Sequence, residues 1–277
     1  MEGKIIFNFQ FNNVLLRFLD SNYMESKDED FLKFYDSFQR NGGKLHIIKQ
    51  SIPVEQQIEY MLYSFHLRKK RRKKLNENDY NQFFEKLESI DFSIIEKKKI
   101  LSMLASSSEI RAYRLLEKFA QKPGEELIYW ASMALMESRM TIETELSDEK
   151  QLYVATGLGG KDEKFRFYVL ILSSQKEPFA DYQRKVIEKE FEYVFQEYDC
   201  EIERLTIYDS YVELVFLIPI VVNIHKTLDK VVLECNQYGN FLFKKYVVTN
   251  VRELSQDDVN QILNKYRKSK RKVIKKP

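Results

Sequence analysis

Two cysteines, three histidines, five prolines and eight glycines are spread over 277 residues, and each scarcity closes off a class of chemistry. Cys200 and Cys235 are isolated, with no CxxC spacing and no histidine close in sequence, so neither a disulfide framework nor a zinc site is implied. His46, His66 and His225 lie far apart, and none stands four residues from another. That leaves no metal-binding helix face and no Cys-His or Ser-His-Asp set. No metal, no cofactor and no catalytic residue is expected. With so little glycine and proline, long irregular loops and glycine-rich phosphate cradles have little material to form from. The longest wholly apolar run, Leu214 to Val222, is nine residues, against the roughly 18 to 20 that a membrane-spanning helix needs. The start, Met1 to Asn8, carries no basic stretch ahead of a sustained apolar one, so no signal peptide is expected. The expectation is a soluble cytoplasmic protein with no membrane partner.

What the chain does have is apolar mass and charge. It is 44% hydrophobic and 31% charged, enough to build a large core without disulfide or metal staples. The formal net charge is only +3, but it is unevenly distributed. Arg68, Lys69, Lys70, Arg71, Arg72, Lys73 and Lys74 are seven consecutive cations, and the segment from Lys265 to Pro277 holds eight more in thirteen positions. Without those 15 charges the other 257 residues carry −12. Runs of like charge repel themselves and are often just solvated surface, yet they are also the usual means of holding a phosphate backbone. The candidate nucleic-acid-binding residues are therefore Arg68 to Lys74 together with Lys268, Lys270, Arg271 and Lys272.

Periodicity divides the chain. Residues 1–147 read as mainly helical after a short strand at Lys4 to Phe11, with the basic run inside this half. Asp28 to Gln39 places aromatic residues at helical offsets before an Asn41-Gly42-Gly43 turn. Pro53 suits a helix first turn, with Ser51 as its cap. Asp79 to Ile90 and Phe92 to Leu104 are amphipathic, and two further helices follow around Lys122-Pro123-Gly124. The pair from Ser108 to Ile142, with its Pro-Gly turn and central alanines, resembles a HEAT-like helical repeat. That resemblance implies a stacked surface used for binding.

Residues 151–264 change period. Gln151 to Thr156 and Phe165 to Ser173 read as strands joined across Gly157 to Asp162. Helix Asp181 to Tyr198, strands Glu201 to Tyr208 and Tyr211 to Ile218, a helix from Ile224 to Cys235, and strand Lys245 to Val251 follow. From Phe165 onward the order is β-α-β-β-α-β, which resembles the ferredoxin-like split unit, here with an added N-terminal strand. The first and third strands are continuously apolar and the second is charged, matching central and edge positions. A terminal helix from Ser255 through Ile262 and a flexible basic tail over 265–277 complete the chain. The fold class expected is α+β.

Individual motifs carry little. The Gly157 to Lys161 cluster fails the Walker A pattern, because Ala155 and Asp162 stand where Gly and Ser or Thr are needed, and fails GxGxxG at Asp162. It reads as a turn. Glu188 and Glu192 share a helix face without a third ligand, so they read as a solvated face. Tyr246, Tyr266, Phe241 and Phe243 lie near the basic end, but the RNP1 pattern is absent. The leading expectation is therefore a non-enzymatic scaffold whose helical half binds a protein partner. The alternative is a nucleic-acid- or ribosome-associated factor that uses the two basic segments. An enzyme with an unrecognised site stands third.

Overall fold

The computed structural model describes residues 4–7, 33–70, 75–146, 150–175 and 177–273. The fold is α+β, and the chain divides into two units, each assembled from separate stretches of sequence.

The first unit comprises Met1–Phe7, Ser37–His46 and Ile52–Ala155. After strand β1 (Lys4–Phe7) and helical backbone over 33–40 (α1), a left-handed Gly42 at φ 72° turns the chain into strand β2 (Gly43–Ile47). The sequence reading did not anticipate this strand. Helices α2 (Val54–Lys70), α3 (Glu77–Glu88), α4 (Ile94–Ala105), α5 (Ile110–Ala120) and α6 (Ile128–Leu146) follow. Two of them begin with reciprocal caps. Asn76 Oδ1 accepts from the Asp79 amide while Asp79 Oδ2 accepts from the Asn76 amide, and Ser93 and Glu96 repeat the arrangement. Each cap satisfies two amides that the helix leaves unpaired.

Helix α6 packs against α2, α4 and α5. Its Ala131 and Ala134 keep it thin, so neighbours approach closely around Trp130 and Met133. Trp130 Nε1 donates to Lys98 O at 3.0 Å and to Ser102 Oγ at 3.1 Å, which satisfies the one polar atom of a buried indole.

Strand β3 (Lys150–Ala155) corrects the expected hairpin. It does not pair with the strand after it, but lies between β1 and β2 in a three-stranded sheet, parallel to β1 from Lys4↔Leu152 to Phe7↔Ala155. The tight turn comes later. Strand β4 (Gly160–Lys161) folds back on β5 (Lys164–Ser173) across Asp162 and Glu163, both at positive φ, 47° and 62°. Two successive left-handed residues make the hairpin turn whose twist suits adjacent strands. Ser51 does not cap α2 either, because its Oγ donates to Gly157 O at 2.8 Å.

The second unit comprises Asn8–Asp36, Ile47–Ser51 and Thr156–Pro277. Its sheet joins β5, β6 (Glu201–Ile207), β7 (Tyr211–Pro219) and β8 (Leu242–Thr249) in the order β8-β5-β7-β6, all antiparallel, with β4 beside the start of β5. The first and third strands of the split unit are central and the charged second strand is at the edge, as the hydrophobic pattern requires. Helices α7 (Asp181–Glu197) and α8 (Ile224–Gln237) form a pair, α7 meeting β6 and α8 meeting β8. Phe195 packs edge-on against Phe216 at 4.8 Å. Helix α9 (Gln256–Val273) lies against the opposite face, where Val259 and Ile262 join Tyr168, Leu170, Leu172, Val215 and Val247. The segment from 265 is therefore helical as far as Val273, where a flexible tail was expected after a helix ending near Ile262.

Candidate functional site

The basic run is anchored at its first residue. Tyr60, Ser64 and Arg68 recur every four residues along α2 and converge on Glu137 of α6, whose side chain is 1% exposed. Tyr60 Oη donates to Glu137 Oε2 at 2.6 Å, Ser64 Oγ donates to Oε1 at 2.9 Å, and Arg68 Nη1 lies 3.4 Å from Oε1. Burial, then the Glu137 charge, pushes the Tyr60 phenol well above its ordinary range. A carboxylate taken out of water needs such partners, since an uncompensated buried charge is costly. Arg68 thus has a structural duty, while Lys69 and Lys70 extend the helix beyond it. Arg71, Arg72, Lys73 and Lys74 lie outside the described residues.

The second basic segment continues a well-seated helix. At the start of α9, Asp258 Oδ2 accepts from the Ser255 amide at 2.9 Å, from Ser255 Oγ at 2.8 Å and from Arg252 Nη1 at 2.6 Å, and Ser255 Oγ caps the Asp258 amide. The Arg252 bond is the main reason that the Asp258 carboxyl stays well below the usual carboxylate range. Val259 and Ile262 seat the helix, and the rings of Phe243 and Tyr266 meet at 4.7 Å. Beyond that anchor Lys265, Arg267, Lys268, Lys270, Arg271 and Lys272 follow in nine helical residues with no acid among them. At about 100° per residue those positions encircle the helix axis. Acidic Asp257 and Asp258 at one end and cations at the other also match the helix dipole.

A third feature was not found from sequence. On the face of the second unit's sheet turned to α9, the cross-strand pairs Tyr168↔Val215, Leu170↔Glu213 and Leu172↔Tyr211 place Glu213 among apolar and aromatic side chains. Thr206 and Arg204 lie beside it on β6, but Arg204 is ion-paired with Glu253. Tyr208 Oη reaches Glu213 Oε2 only at 3.4 Å. Tyr168 Oη is buried beside Glu213, and burial, then the Glu213 charge, pushes its pKa up. Tyr208 and Tyr211 stack at 4.4 Å with their planes 21° apart, and Tyr208 is 38% exposed. The sequence signal was faint: one carboxylate at the third position of an otherwise apolar strand.

The other motifs resolve as local structure. The Leu158 amide donates to Asn250 O and the Gly159 amide to Thr156 O, so the glycine cluster's amides are used internally rather than aimed at a ligand. A side chain at Gly157 would collide with the Val251 backbone, which explains that glycine. Among the described residues no group of three or more His, Cys, Asp or Glu side chains is placed to hold a metal ion, Glu188 and Glu192 included. Nor is any described helix long and apolar enough to cross a membrane.

No family model matches the chain, and no curated protein matches it. Among solved structures the chain is similar to a REP-associated tyrosine transposase bound to a REP hairpin, at 8% identity and a TM-score of 0.30, over 36% of this chain and 63% of that one. It is also similar to a protein from Deinococcus radiodurans described as a transposase, at 13% identity and a TM-score of 0.32, over 39% of this chain and 93% of that one. The chain thus spans under two thirds of the first of these structures. Little more than a third of this chain takes part in either likeness. The leading expectation of a protein-binding scaffold finds no support in these comparisons, since both similar structures are described as transposases.

Proposed function

We propose that the protein binds nucleic acid through the phosphate backbone, using the basic end of α9 and the run that begins at Arg68. The observation that carries this reading is the continuation of α9. Its first three turns are seated in the second unit's core, and the same helix then carries six Lys or Arg positions in nine residues. A cationic helix of this kind meets phosphates without first having to order a loose tail, which reduces the entropic cost of binding. Against a body of charge −12 over 257 residues, the basic segments are where a polyanion would be attracted.

The test measures binding of the full chain to labelled single-stranded and hairpin oligonucleotides, DNA and RNA, across a salt series. Two variants accompany it: one truncated after Tyr266, and one with Lys69, Lys70, Arg71, Arg72, Lys73 and Lys74 changed to glutamine while Arg68 is kept. Affinity should fall steeply with salt, with a logarithmic slope of about −0.7 per phosphate contacted on a single strand. Both variants should flatten that slope. Binding that ignores salt, or that survives both changes intact, overturns the reading.

A further inference from the structure

Helix α2 has two opposite faces. Tyr60, Ser64 and Arg68 form the stripe that closes on Glu137. At about 100° per residue, positions 62, 65, 66 and 69 fall on the other side of the helix. The apolar side chains there stand in solvent: Leu62 is 58% exposed and Phe65 52%. His66 is exposed beside them, its ring edge-on to Phe65 with centroids 6.0 Å apart, and its Nδ1 donates to Leu62 O at 2.6 Å. That bond holds the imidazole in place against the phenyl ring. Residues four apart on a helix are neighbours, so the position of Lys69, in the seven-cation run, lies next to that of Phe65.

Charge decides what such a face suits. From Tyr60 to Lys70 the helix carries no acid. Glu59, just before that stretch, is held by Lys98 at 2.7 Å, and Glu137 lies against the opposite face with its own donors. A partner that covers Phe65 must therefore bring both an apolar surface and negative charge. A single strand of nucleic acid brings both, a base to lie on the ring and phosphates for the adjoining cations. An anionic membrane is the other class with that chemistry, but binding at a bilayer interface scales with the apolar area buried, and two exposed side chains supply little of it.

We infer that Phe65 is a stacking platform for one unpaired nucleobase, flanked by Leu62 and His66, at the entrance to the basic run. The inference rests on the nucleic-acid reading above and adds a base contact to a chain otherwise read as gripping phosphates. Stacking on an aromatic ring tolerates any base, so the platform favours unpaired strands over duplex rather than one sequence.

The experiment compares a labelled single strand with an abasic strand of equal length, which keeps every phosphate and loses every base. Wild-type protein should bind the base-bearing strand about tenfold more tightly. Phe65→Ala should remove most of that preference and leave abasic binding unchanged, whereas Phe65→Trp should keep it. Tyr193→Ala, which removes an aromatic ring 65% exposed in the second unit, should leave the preference intact. Circular dichroism of each variant checks that the fold is intact, and the wild-type ratio needs no variant at all. Equal wild-type affinity for the two strands overturns the inference while leaving backbone binding in place. A preference that survives Phe65→Ala overturns the assignment to this ring. Binding of neither strand overturns the nucleic-acid reading itself, and the inference with it. Vesicles of phosphatidylserine and phosphatidylcholine complete the comparison: binding to them that Phe65→Ala abolishes, with no preference for bases, gives this face to lipid and overturns the inference.

Discussion

Arg68 Nη1 stands 3.4 Å from Glu137 Oε1, so the first cation of the basic run is also the outermost partner of a carboxylate sealed inside the helical core. One residue thereby belongs to both the surface charge and the fold. Mutagenesis that neutralises the whole run would mix loss of binding with loss of stability.

Glu137→Ala should destabilise the first unit by about 3 kcal/mol, because it leaves the Tyr60 and Ser64 hydroxyls buried without an acceptor. Arg68→Gln should cost about 1 kcal/mol, since the guanidinium is half exposed and the other two donors remain. Urea unfolding followed by the fluorescence of Trp130, the single tryptophan, reads both, as the indole is buried in the same core. Equal effects of the two substitutions would contradict the assignment of Glu137 as the hub.

The Asp258 cap implies an acid limb. Its folded-state pKa is depressed, chiefly by Arg252, so its contribution is fully present above the unfolded carboxylate value of about 4 and is lost as pH falls below it toward the lower folded value. Asp258→Asn should therefore be less stable than wild type by about 1 kcal/mol near neutral pH. The gap should close as pH falls below about 4. Unfolding midpoints of the two proteins at neutral and acid pH measure it, and a gap that stays constant would rule this linkage out.

Truncation should separate anchor from cationic segment. Removing residues 267–277 takes away no residue of the second unit's described core, so its unfolding midpoint should be unchanged while oligonucleotide binding weakens. Removing residues 256–277 exposes the partners of Val259 and Ile262 and should cost about 4 kcal/mol, at about 2 kcal/mol for each buried aliphatic side chain. Denaturant melts of the two truncations make the comparison.

Burial pushes both thiols up to about 12. Neither is then a thiolate to any useful extent near neutrality, and the thiolate is the nucleophile. Native protein should react with iodoacetamide at about pH 8 far more slowly than a free thiol, at both Cys200 and Cys235, and denaturant should restore both rates. Fast labelling of either cysteine in the folded chain would show that its surroundings are not those described.

Local pattern was enough for much of the architecture. The alternation of apolar and charged positions in β6 and the unbroken apolar runs of β5 and β7 revealed which strands are edge and which are central. Helical offsets marked α3 and α4. Those signals act over a few residues, where side-chain period and cap chemistry leave little freedom. The charge segregation was equally plain, and it made a polyanion partner the alternative to a protein-binding scaffold.

What the linear chain left open was every choice that depends on distant partners. Gln151 to Ala155 has the makings of a strand in any sheet, and it pairs with Lys4 to Phe7 because strand edges are satisfied by whichever backbone the folded chain brings alongside, not by the nearest in sequence. Glu137 looks like an ordinary surface acid until α2 closes over it, for burial is a property of the assembled core. The sequence by itself determined most of the helices and strands, the central and edge strands of the second unit and the basic segments, because each follows from local period or summed charge. Only the tertiary structure decided which carboxylate is sealed and which cation has a structural duty, because those depend on contacts between residues far apart in the chain.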